Sequence, residues 1–157
     1  MSTEGCYERN FTLQMALENA QRTRKQCRVL RLDISNAFGS VTHHHILSTL
    51  CRLGLPDGII DLVWELYDGC SMTIWDTDGE TAQIPIRSGV RQGCPLSPII
   101  FNLAMEPLLQ VVASSPRRLD LYGQKLSVLV YTDDLILHAN DAAELQQELD
   151  VMSEEAR

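Results

Sequence analysis

The sequence predicts an α+β fold in which helices pack on one face of an antiparallel sheet. Five segments carry apolar residues at helical spacing, and short apolar runs of strand length stand among them. Two of these runs, residues 126–131 and 135–138, are separated by only three residues, which indicates an antiparallel hairpin. With 157 residues, the chain is long enough for one domain with a single core.

The first half of the chain alternates helices with one short strand. A helix is predicted over residues 10–26, where four apolar side chains share one face at spacing i, i+3, i+4 and i+7. The apolar run over residues 29–34 is predicted as a strand. Two further helices are predicted around residues 46–53 and 60–67, and each ends at a glycine that follows it.

The region from residue 71 to 87 is predicted as a hairpin, with the dipeptide Asp78-Gly79 as its tight turn. Both residue types tolerate the positive φ angles that such a turn requires. The last segment, residues 141–157, is predicted as a polar helix with a narrow apolar stripe.

A long helix is predicted to begin at Ser97-Pro98, with the serine as N-cap and the proline as the first helical residue. Its apolar stripe continues to about residue 112. Pro107 lies inside this stripe and lacks the backbone N–H that a helix interior uses, so a kink or an early end is predicted there.

The acidic charge balance argues against a chain that binds nucleic acid mainly through a broad basic face. Lysine and arginine total 13 against 21 acidic residues, a formal net charge of −8. One local basic patch covers residues 22–31, with five cationic side chains and no acid. Two interpretations of this patch stay open, a contact with a phosphate backbone and a solvated helix end.

The sequence predicts an intracellular protein, nuclear or cytoplasmic. The first residues lack the charged-then-apolar pattern of a signal peptide. The most apolar long stretch, residues 99–113, is too short and too polar to span a bilayer, so no membrane association is expected.

Neither the cysteines nor the histidines indicate a zinc site. Five cysteines are scattered along the chain without a CxxC pair, which is typical of reduced thiols in an intracellular protein. The consecutive residues His43, His44 and His45 point in three directions on a helix, so they are not expected to share one metal.

Three acidic residues stand at the ends of apolar runs. Asp133 and Asp134 separate the two runs of the predicted hairpin, and Asp33 ends an earlier run. A buried carboxylate is costly unless it is paired or hydrogen-bonded. Three carboxylates at strand ends suit two divalent cations that promote displacement at phosphorus, and Mg²⁺ prefers such oxygen ligands. The alternative, that these acids only form solvated turns, stays open at this point.

Three segments resemble, in their order along the chain, the central motifs of reverse transcriptases, and they look closest to those of non-LTR retrotransposons. They are LRLDISNAFGSV, SGVRQGCPLSPIIFNLAMEPLL and VLVYTDDLIL. The segment EGCYERNFTLQMALENA is similar to the helix that precedes the first catalytic strand in that family. The resemblance covers nearly the whole chain, and three motifs in order are a specific signal.

The resemblance implies a polymerase palm with a ferredoxin-like core and a partial fingers element, in a single domain of residues 1–157. Residues 29–53 and 88–140 would form the catalytic palm, and residues 1–28 and 54–90 would be fingers-like or palm-adjacent. The implied activity is RNA-directed DNA polymerisation by two-metal nucleotidyl transfer, with two Mg²⁺ ions, or Mn²⁺ in their place. The implied partners are an RNA template, a DNA primer and deoxynucleoside triphosphates, with most of the grip supplied by fingers and thumb segments outside this chain.

The resemblance assigns the acidic residues to catalysis and metal binding. Asp33 is implied as the metal ligand on the first palm strand, with the backbone carbonyl of Ile34 beside it. Asp133 and Asp134 correspond to the acidic pair of the Tyr-x-Asp-Asp turn, and Asp133 is the better supported ligand of the two.

A second set of residues is implied to contact the incoming nucleotide or the primer terminus. The nucleotide set is Ile34, Phe38, Arg91, Gln92 and Gly93, and the primer-terminus set is Tyr131 and Thr132. The ring of Phe38 would collide with a 2′-OH and select deoxynucleotides. For three of these residues a structural interpretation stays open: Phe38 and Tyr131 as core aromatics, and Arg91 as a solvated surface residue.

Gly39 departs from the family pattern, which usually has an acid after the phenylalanine. Because Asp33 is retained, metal binding is expected to persist, with weaker support for the turn from strand to helix. Two other functions stay open: a catalytically inactive, truncated or repurposed retrotransposon fragment that acts as an interaction module, and an RNA-templated RNA polymerase. Phe38 argues against the latter, since such an enzyme needs room for the 2′-OH.

Overall fold

The computed structural model of the protein describes residues 5–114, 119–121, 124–126 and 128–156. Ser127 and Arg157, which fall inside a predicted strand and a predicted helix, lie outside the described residues. The chain divides into two compact units, the first of residues 1–34 with 106–157 and the second of residues 35–105. None of the described helices is both long and apolar enough to cross a membrane.

The described part of the chain contains six helices and nine strands. The helices are α1 (Gly5–Thr23), α2 (Ala37–Ser40), α3 (His43–Arg52), α4 (Asp57–Tyr67), α5 (Ser97–Ala113) and α6 (Ala142–Glu155). The strands are β1 (Arg28–Asp33), β2 (Ser71–Met72), β3 (Trp75–Asp76), β4 (Gly79–Glu80), β5 (Ile84–Pro85), β6 (Leu119–Leu121), β7 (Gln124–Leu126), β8 (Val128–Tyr131) and β9 (Asp134–Ala139).

The first unit contains a three-stranded antiparallel sheet with strand order β1-β9-β8. The β1–β9 ladder runs from the pair Arg28–Ala139 to the pair Asp33–Asp134. In the β8–β9 ladder, Tyr131 pairs with Asp134, so β9 is the central strand. The predicted antiparallel sheet and its hairpin are confirmed. A second, two-stranded ladder joins β6 and β7.

The hydrophobic core of the first unit lies on one face of this sheet. Leu135 and Leu137 of β9 are buried there together with Val112 of α5 and Met152 of α6. Because side chains alternate along a strand, Leu30 and Leu32 of β1 pack against the same core. The residues that alternate with them, Asp33 included, point to the opposite face.

Helix α1 begins earlier and ends earlier than predicted. It spans Gly5–Thr23, whereas the apolar pattern predicted residues 10–26. Its first turns carry Tyr7 and Phe11, which are 71% and 65% exposed, so no buried apolar stripe marks them in the sequence. Arg24 has a φ of 54° and ends the helix in the left-handed conformation common after a helix terminus. The helix packs against β8 and β6.

Helix α6 covers the core and begins with a side-chain cap. The Asp141 carboxylate accepts a hydrogen bond from the backbone N–H of Glu144 at 2.8 Å. The Glu144 carboxylate in turn accepts from the backbone N–H of Asn140 at 3.1 Å. These two bonds satisfy backbone donors at the helix start, and α6 then packs against β9 and β1.

The second unit contains α2, α3, α4, the four short strands β2 to β5 and the start of α5. Helices α3 and α4 pack on each other. The predicted hairpin is present as two short antiparallel ladders, β2 with β5 and β3 with β4. At its tip Asp76 pairs with Gly79, so the turn is Thr77-Asp78 rather than the predicted Asp78-Gly79. Gly79, with a φ of 116°, is the first residue of the returning strand.

Helix α5 continues through Pro107 and does not end early at this residue. Ser97 is the first helical residue and not the predicted N-cap, because the carbonyl of Leu96 already accepts from the N–H of Ile100 at 2.9 Å. The Ser97 hydroxyl instead donates to the carbonyl of Arg91 at 2.5 Å. This bond ties the helix start to the loop that precedes it.

Candidate active site

The structure brings Asp33, Asp133 and Asp134 together at one end of the three-stranded sheet. Asp33 is the last residue of β1, and Asp134 is the first residue of β9 and its direct partner. Asp133 lies in the turn immediately before Asp134. The N–H of Ile34 donates to the carbonyl of Asp133 at 3.3 Å, which extends the contact between the two segments beyond the ladder.

The turn that carries Asp133 is tighter than predicted. Thr132 and Asp133 alone connect the two strands, since Tyr131 pairs directly with Asp134. Thr132 has a φ of 57°, a conformation that two-residue hairpin loops require and that a residue with a branched side chain rarely adopts. Asp134 therefore belongs to the central strand, where it has a neighbour on each side.

Arg31 binds the carboxylate of Asp134 with a forked geometry. Its Nη2 lies 2.9 Å from both Oδ1 and Oδ2 of Asp134, and its Nε lies 3.2 Å from Oδ1. In the sequence, Arg31 stands out only as a member of the basic patch of residues 22–31. Strand alternation was a usable signal, because it places Arg31 on the same face as Asp33, two residues further along β1.

The other two carboxylates differ from Asp134 in their surroundings. Asp33 is exposed and Asp133 is half-buried. Among the described residues, neither the Asp33 nor the Asp133 side chain makes a hydrogen bond or an ion pair. Within the described part of the chain, two carboxylates without a side-chain partner thus lie beside one that is bound by a guanidinium.

The oxygen atoms of Asp33, Asp133, Asp134 and the Ile34 carbonyl are of the kind that bind divalent cations. Carboxylate and backbone carbonyl oxygens are the hard ligands that Mg²⁺ takes. In the described ranges, no group of three or more histidine, cysteine, aspartate or glutamate side chains is arranged to hold a metal ion. Of the three carboxylates, Asp134 is the one in contact with a guanidinium, that of Arg31.

Tyr131 and Thr132 lie at the surface next to the acidic turn. Tyr131 is 47% exposed, which removes the alternative that it is a core residue. The guanidinium of Arg9 lies 5.8 Å from the centre of its ring, within the range of a cation–π contact. Helix α1 therefore reaches the tyrosine of the motif through its first turns.

In the second unit, Phe38 packs on another aromatic residue. Its ring centre lies 4.5 Å from that of Phe101, which is fully buried. Phe38 itself is half-buried. The carbonyl of Phe38 accepts from the N–H of Val90 at 2.7 Å, which joins this segment to the one that leads into Arg91.

Arg91, Gln92 and Gly93 form an exposed loop before α5. Gly93 has a φ of 79°, so this position favours glycine for a backbone reason. The loop is anchored at its start, where the Arg91 carbonyl accepts from the Ser97 hydroxyl.

Gly39, the departure from the family pattern, has a steric reason in this chain. A β-carbon built on Gly39 would lie 2.5 Å from Nδ2 and 2.6 Å from Oδ1 of Asn36. The Asn36 side chain thus occupies the space that a side chain at position 39 would need. A β-carbon on Gly89 would lie 3.0 Å from the Cα of Gly39, so the two backbones are in close contact.

The three consecutive histidines do not converge. Nε2 of His43 bonds to the carbonyl of Gly89 at 3.1 Å, and Nε2 of His45 bonds to the carbonyl of Ala104 at 2.9 Å. Because a carbonyl oxygen only accepts, Nε2 carries the proton in both rings. His44 is exposed. These side chains link segments within the second unit.

Comparisons with known proteins agree on one family. A sequence model described as reverse transcriptase (RNA-dependent DNA polymerase) matches residues 3–157. The retrovirus-related Pol polyprotein from type-2 retrotransposable element R2DM of Drosophila melanogaster is 34% identical over 157 residues, which cover 96% of this chain and 14% of the relative. The Pol polyprotein from element R2 of Popillia japonica is 34% identical over 136 residues, covering 85% of this chain and 19% of the relative.

Two solved structures resemble this chain in fold. Apo telomerase from Candida tropicalis, truncated from its C-terminal domain, matches with a TM-score of 0.67 and 11% identity, covering 98% of this chain and 32% of that one. Telomerase from the same organism in complex with a TWJ fragment of telomeric RNA matches with a TM-score of 0.63 and 12% identity, covering 95% and 28%. At these identities the likeness shows a shared fold. This chain spans a fifth or less of the length of the curated relatives named above.

Proposed function

Because this chain belongs to the reverse transcriptase (RNA-dependent DNA polymerase) family, we propose that it carries the catalytic carboxylates of an RNA-directed DNA polymerase. The proposed reaction transfers deoxynucleotides to a primer 3′-OH. One observation carries the proposal: Asp33 and Asp134 form the last pair of the β1–β9 ladder, and Asp133 adjoins them in the turn. Residues from two distant family motifs thus share one end of one sheet.

Reverse transcriptases generally use divalent metal ions, and we propose two Mg²⁺ ions here, with Mn²⁺ as a substitute. When bound, such ions favour deprotonation of the primer 3′-OH and offset the charge of the leaving pyrophosphate. The carboxylates of Asp33 and Asp133, with the backbone carbonyl of Ile34, would hold them. Asp134 completes the acidic set, in contact with Arg31.

Phe38 is proposed to select deoxynucleotides by steric exclusion of a 2′-OH. Its contact with Phe101 supports this role, because a ring that packs on a buried neighbour has little freedom to move aside. Arg91, Gln92 and Gly93 are proposed to contact the incoming nucleotide and the template. Their exposure in an anchored loop supports that assignment.

The proposed partners are an RNA template, a DNA primer and deoxynucleoside triphosphates. Tyr131 and Thr132, exposed beside the acidic turn, are proposed to lie near the primer terminus. A chain with a net charge of −8 repels phosphate overall, so we propose that fingers and thumb segments outside these residues supply most of the grip. The proposed location is intracellular.

We also propose the division of the chain that the family resemblance suggests. Residues 29–53 and 88–140 would form the catalytic palm, and residues 1–28 and 54–90 would be fingers-like or palm-adjacent. The position of all three carboxylates within one compact unit supports a catalytic role for that unit.

Primer extension tests the proposal. The 157-residue chain is supplied with an RNA template, a DNA primer, deoxynucleotides and Mg²⁺, alone and with the flanking segments of an R2 relative. We expect single-nucleotide incorporation, and we expect Asp133→Asn to reduce it about 100-fold or more. Asp61→Asn, which removes an exposed carboxylate in the second unit, is the matched control and should retain activity.

Two outcomes would contradict the proposal. Absence of incorporation under both conditions would favour an inactive fragment that acts as an interaction module. Incorporation of ribonucleotides in preference to deoxynucleotides would favour an RNA-templated RNA polymerase.

A further inference from the structure

We propose that Arg31 is a positioning residue that holds Asp134 away from direct metal coordination, so that Asp33 and Asp133 are the two carboxylates available to divalent ions. This inference rests on the proposed function, because it concerns the same acidic site. It assigns unequal roles to the two adjacent acids of the hairpin.

The geometry of the pair supports this division. Arg31 contacts both oxygens of the Asp134 carboxylate, with three donor–acceptor distances between 2.9 and 3.2 Å. A two-pronged contact of this kind fixes the orientation of the carboxylate as well as its charge. To bind a cation directly, Asp134 would have to give up at least part of this contact.

Strand register places Arg31 where it acts on the whole acidic site. Arg31 and Asp33 lie two residues apart on the same face of β1, and Asp33 is the direct partner of Asp134 on β9. The guanidinium therefore reaches diagonally across the ladder. It leaves Asp33 accessible while it neutralises the charge that faces Asp33.

The exposure of the pair argues against a mainly stabilising role. The side chains of Arg31 and Asp134 are 70% and 33% exposed. Ion pairs this open to solvent contribute little to folding stability, because water screens them. Their effect on a cation that binds within a few ångströms is larger, because the cation carries two charges.

Removing the guanidinium is therefore expected to tighten cation binding. It raises the local negative charge from two to three and releases Asp134 as a further ligand. A positive charge several ångströms from a divalent ion in a solvated site changes its affinity by roughly threefold to tenfold.

Mn²⁺ titration of the 157-residue chain without nucleic acid, followed by electron paramagnetic resonance, tests this. We expect Arg31→Gln to bind Mn²⁺ roughly threefold to tenfold more tightly than the wild type. Arg28→Gln, which removes the same charge from the same strand, is the matched control and should stay within about twofold. Arg31→Lys keeps the positive charge but loses the two-pronged contact with Asp134. Its Mn²⁺ affinity should therefore lie between those of the wild type and of Arg31→Gln.

A double-substitution cycle separates charge from ligation. In the wild type, we expect Asp134→Asn to weaken Mn²⁺ binding by roughly threefold to tenfold, the effect of one charge, and by less than Asp133→Asn, which also removes a ligand. In the Arg31→Gln background, Asp134→Asn should return the affinity to about the wild-type value, because the local charge is then again minus two. The inference is overturned if Arg31→Gln behaves as Arg28→Gln does, or if Asp134→Asn weakens binding in the wild type as much as Asp133→Asn does.

The same titrations distinguish failure of the proposed metal site from failure of the inference about Arg31. Mn²⁺ binding that is unchanged by Asp133→Asn would overturn both the proposed metal site and this inference. A loss of binding in Asp133→Asn, together with no response to Arg31→Gln, would overturn the inference alone. Melting temperatures of all variants, measured in parallel, show that each protein is folded.

Discussion

Asp33 and Asp134 face each other as the last pair of the β1–β9 ladder, two carboxylates in directly opposite positions on antiparallel strands. Like charges so placed destabilise a sheet by about 0.2–1 kcal/mol. The contact from Arg31 to Asp134 offsets part of this repulsion. The sheet thus tolerates a local cost at the point where the proposed metal ligands lie.

Removal of one of these facing charges should stabilise the fold and abolish the proposed activity. We expect Asp33→Asn to raise the free energy of unfolding by up to about 1 kcal/mol, measured by urea denaturation, because it removes the cross-strand repulsion. The same substitution should eliminate primer extension. Asp61→Asn is the control, with a change below about 0.5 kcal/mol. A destabilised Asp33→Asn protein would contradict this account.

A substitution at Gly89 should disrupt the contact between two backbones. Gly89 has a φ of 89°, and a β-carbon on it would lie 3.0 Å from the Cα of Gly39 and 3.1 Å from the carbonyl oxygen of Phe38. We expect Gly89→Ala to lower the free energy of unfolding by about 2–4 kcal/mol, because conformational strain and overpacking add.

Gly54 provides the matched control for this substitution. It has a φ of 71°, but a β-carbon there would meet nothing within 4 Å. Gly54→Ala should therefore cost only the conformational strain, about 1–2 kcal/mol. Equal losses for Gly54→Ala and Gly89→Ala in chemical denaturation would show that the backbone contact contributes nothing.

Restoring the acid that the family usually carries at position 39 should be unfavourable in this chain. A side chain there requires the space held by Asn36, so we expect Gly39→Asp to cost about 1–3 kcal/mol of unfolding free energy. Asn36→Gly in the same chain should recover at least about 0.5 kcal/mol of that loss beyond additivity. Strictly additive effects of the two substitutions would mean that Asn36 moves aside without cost.

Local patterns in the sequence were enough to predict most helices and strands. The contacts within the acidic site depend instead on the pairing of residues that are far apart in the sequence. The short apolar run over residues 29–34 was enough to predict β1. The contact between Arg31 and Asp134 was not predictable, because it joins residues 103 positions apart and depends on strand register. Register here follows from a two-residue turn, and the sequence indicated a turn of three residues.

The space around Gly39 illustrates the same limit at short range. The motif indicates that an acid is missing at position 39, from which weaker support for the turn between strand and helix is predicted. The structure shows that Asn36, in a left-handed conformation with a φ of 51°, fills the space. A backbone conformation of this kind in a residue other than glycine is not visible in composition or periodicity.

Stability should fall in mild acid because of a buried histidine in β9. His138 is 2% exposed, and burial lowers its pKa below the ordinary value of 6.5, while the nearby backbone of Leu126 and Ile136 opposes this shift only in part. The unfolded chain therefore takes up a proton first as the pH falls below about 6.5, and the folded state loses stability by at most about 1.4 kcal/mol per pH unit.

This slope is measured by chemical denaturation at several pH values between about 7.5 and about 5, a range that spans the ordinary pKa of histidine. We expect His138→Leu to flatten the pH dependence, since it removes the titrating group. His44→Gln, at an exposed position, should leave the slope as in the wild type. A slope that persists in His138→Leu would assign the effect to another group.

Sugar selection provides the last test, because it separates the two interpretations of Phe38. If the ring excludes a 2′-OH, Phe38→Ala should raise the use of ribonucleotides relative to deoxynucleotides by roughly tenfold or more in primer extension. If Phe38 is only a core aromatic, the variant should lose stability and keep its sugar preference. Phe101→Leu is the matched control, because it disturbs the same aromatic contact and leaves the Phe38 ring in place. An equal shift in sugar preference in both variants would show that packing, and not the ring itself, sets the selection.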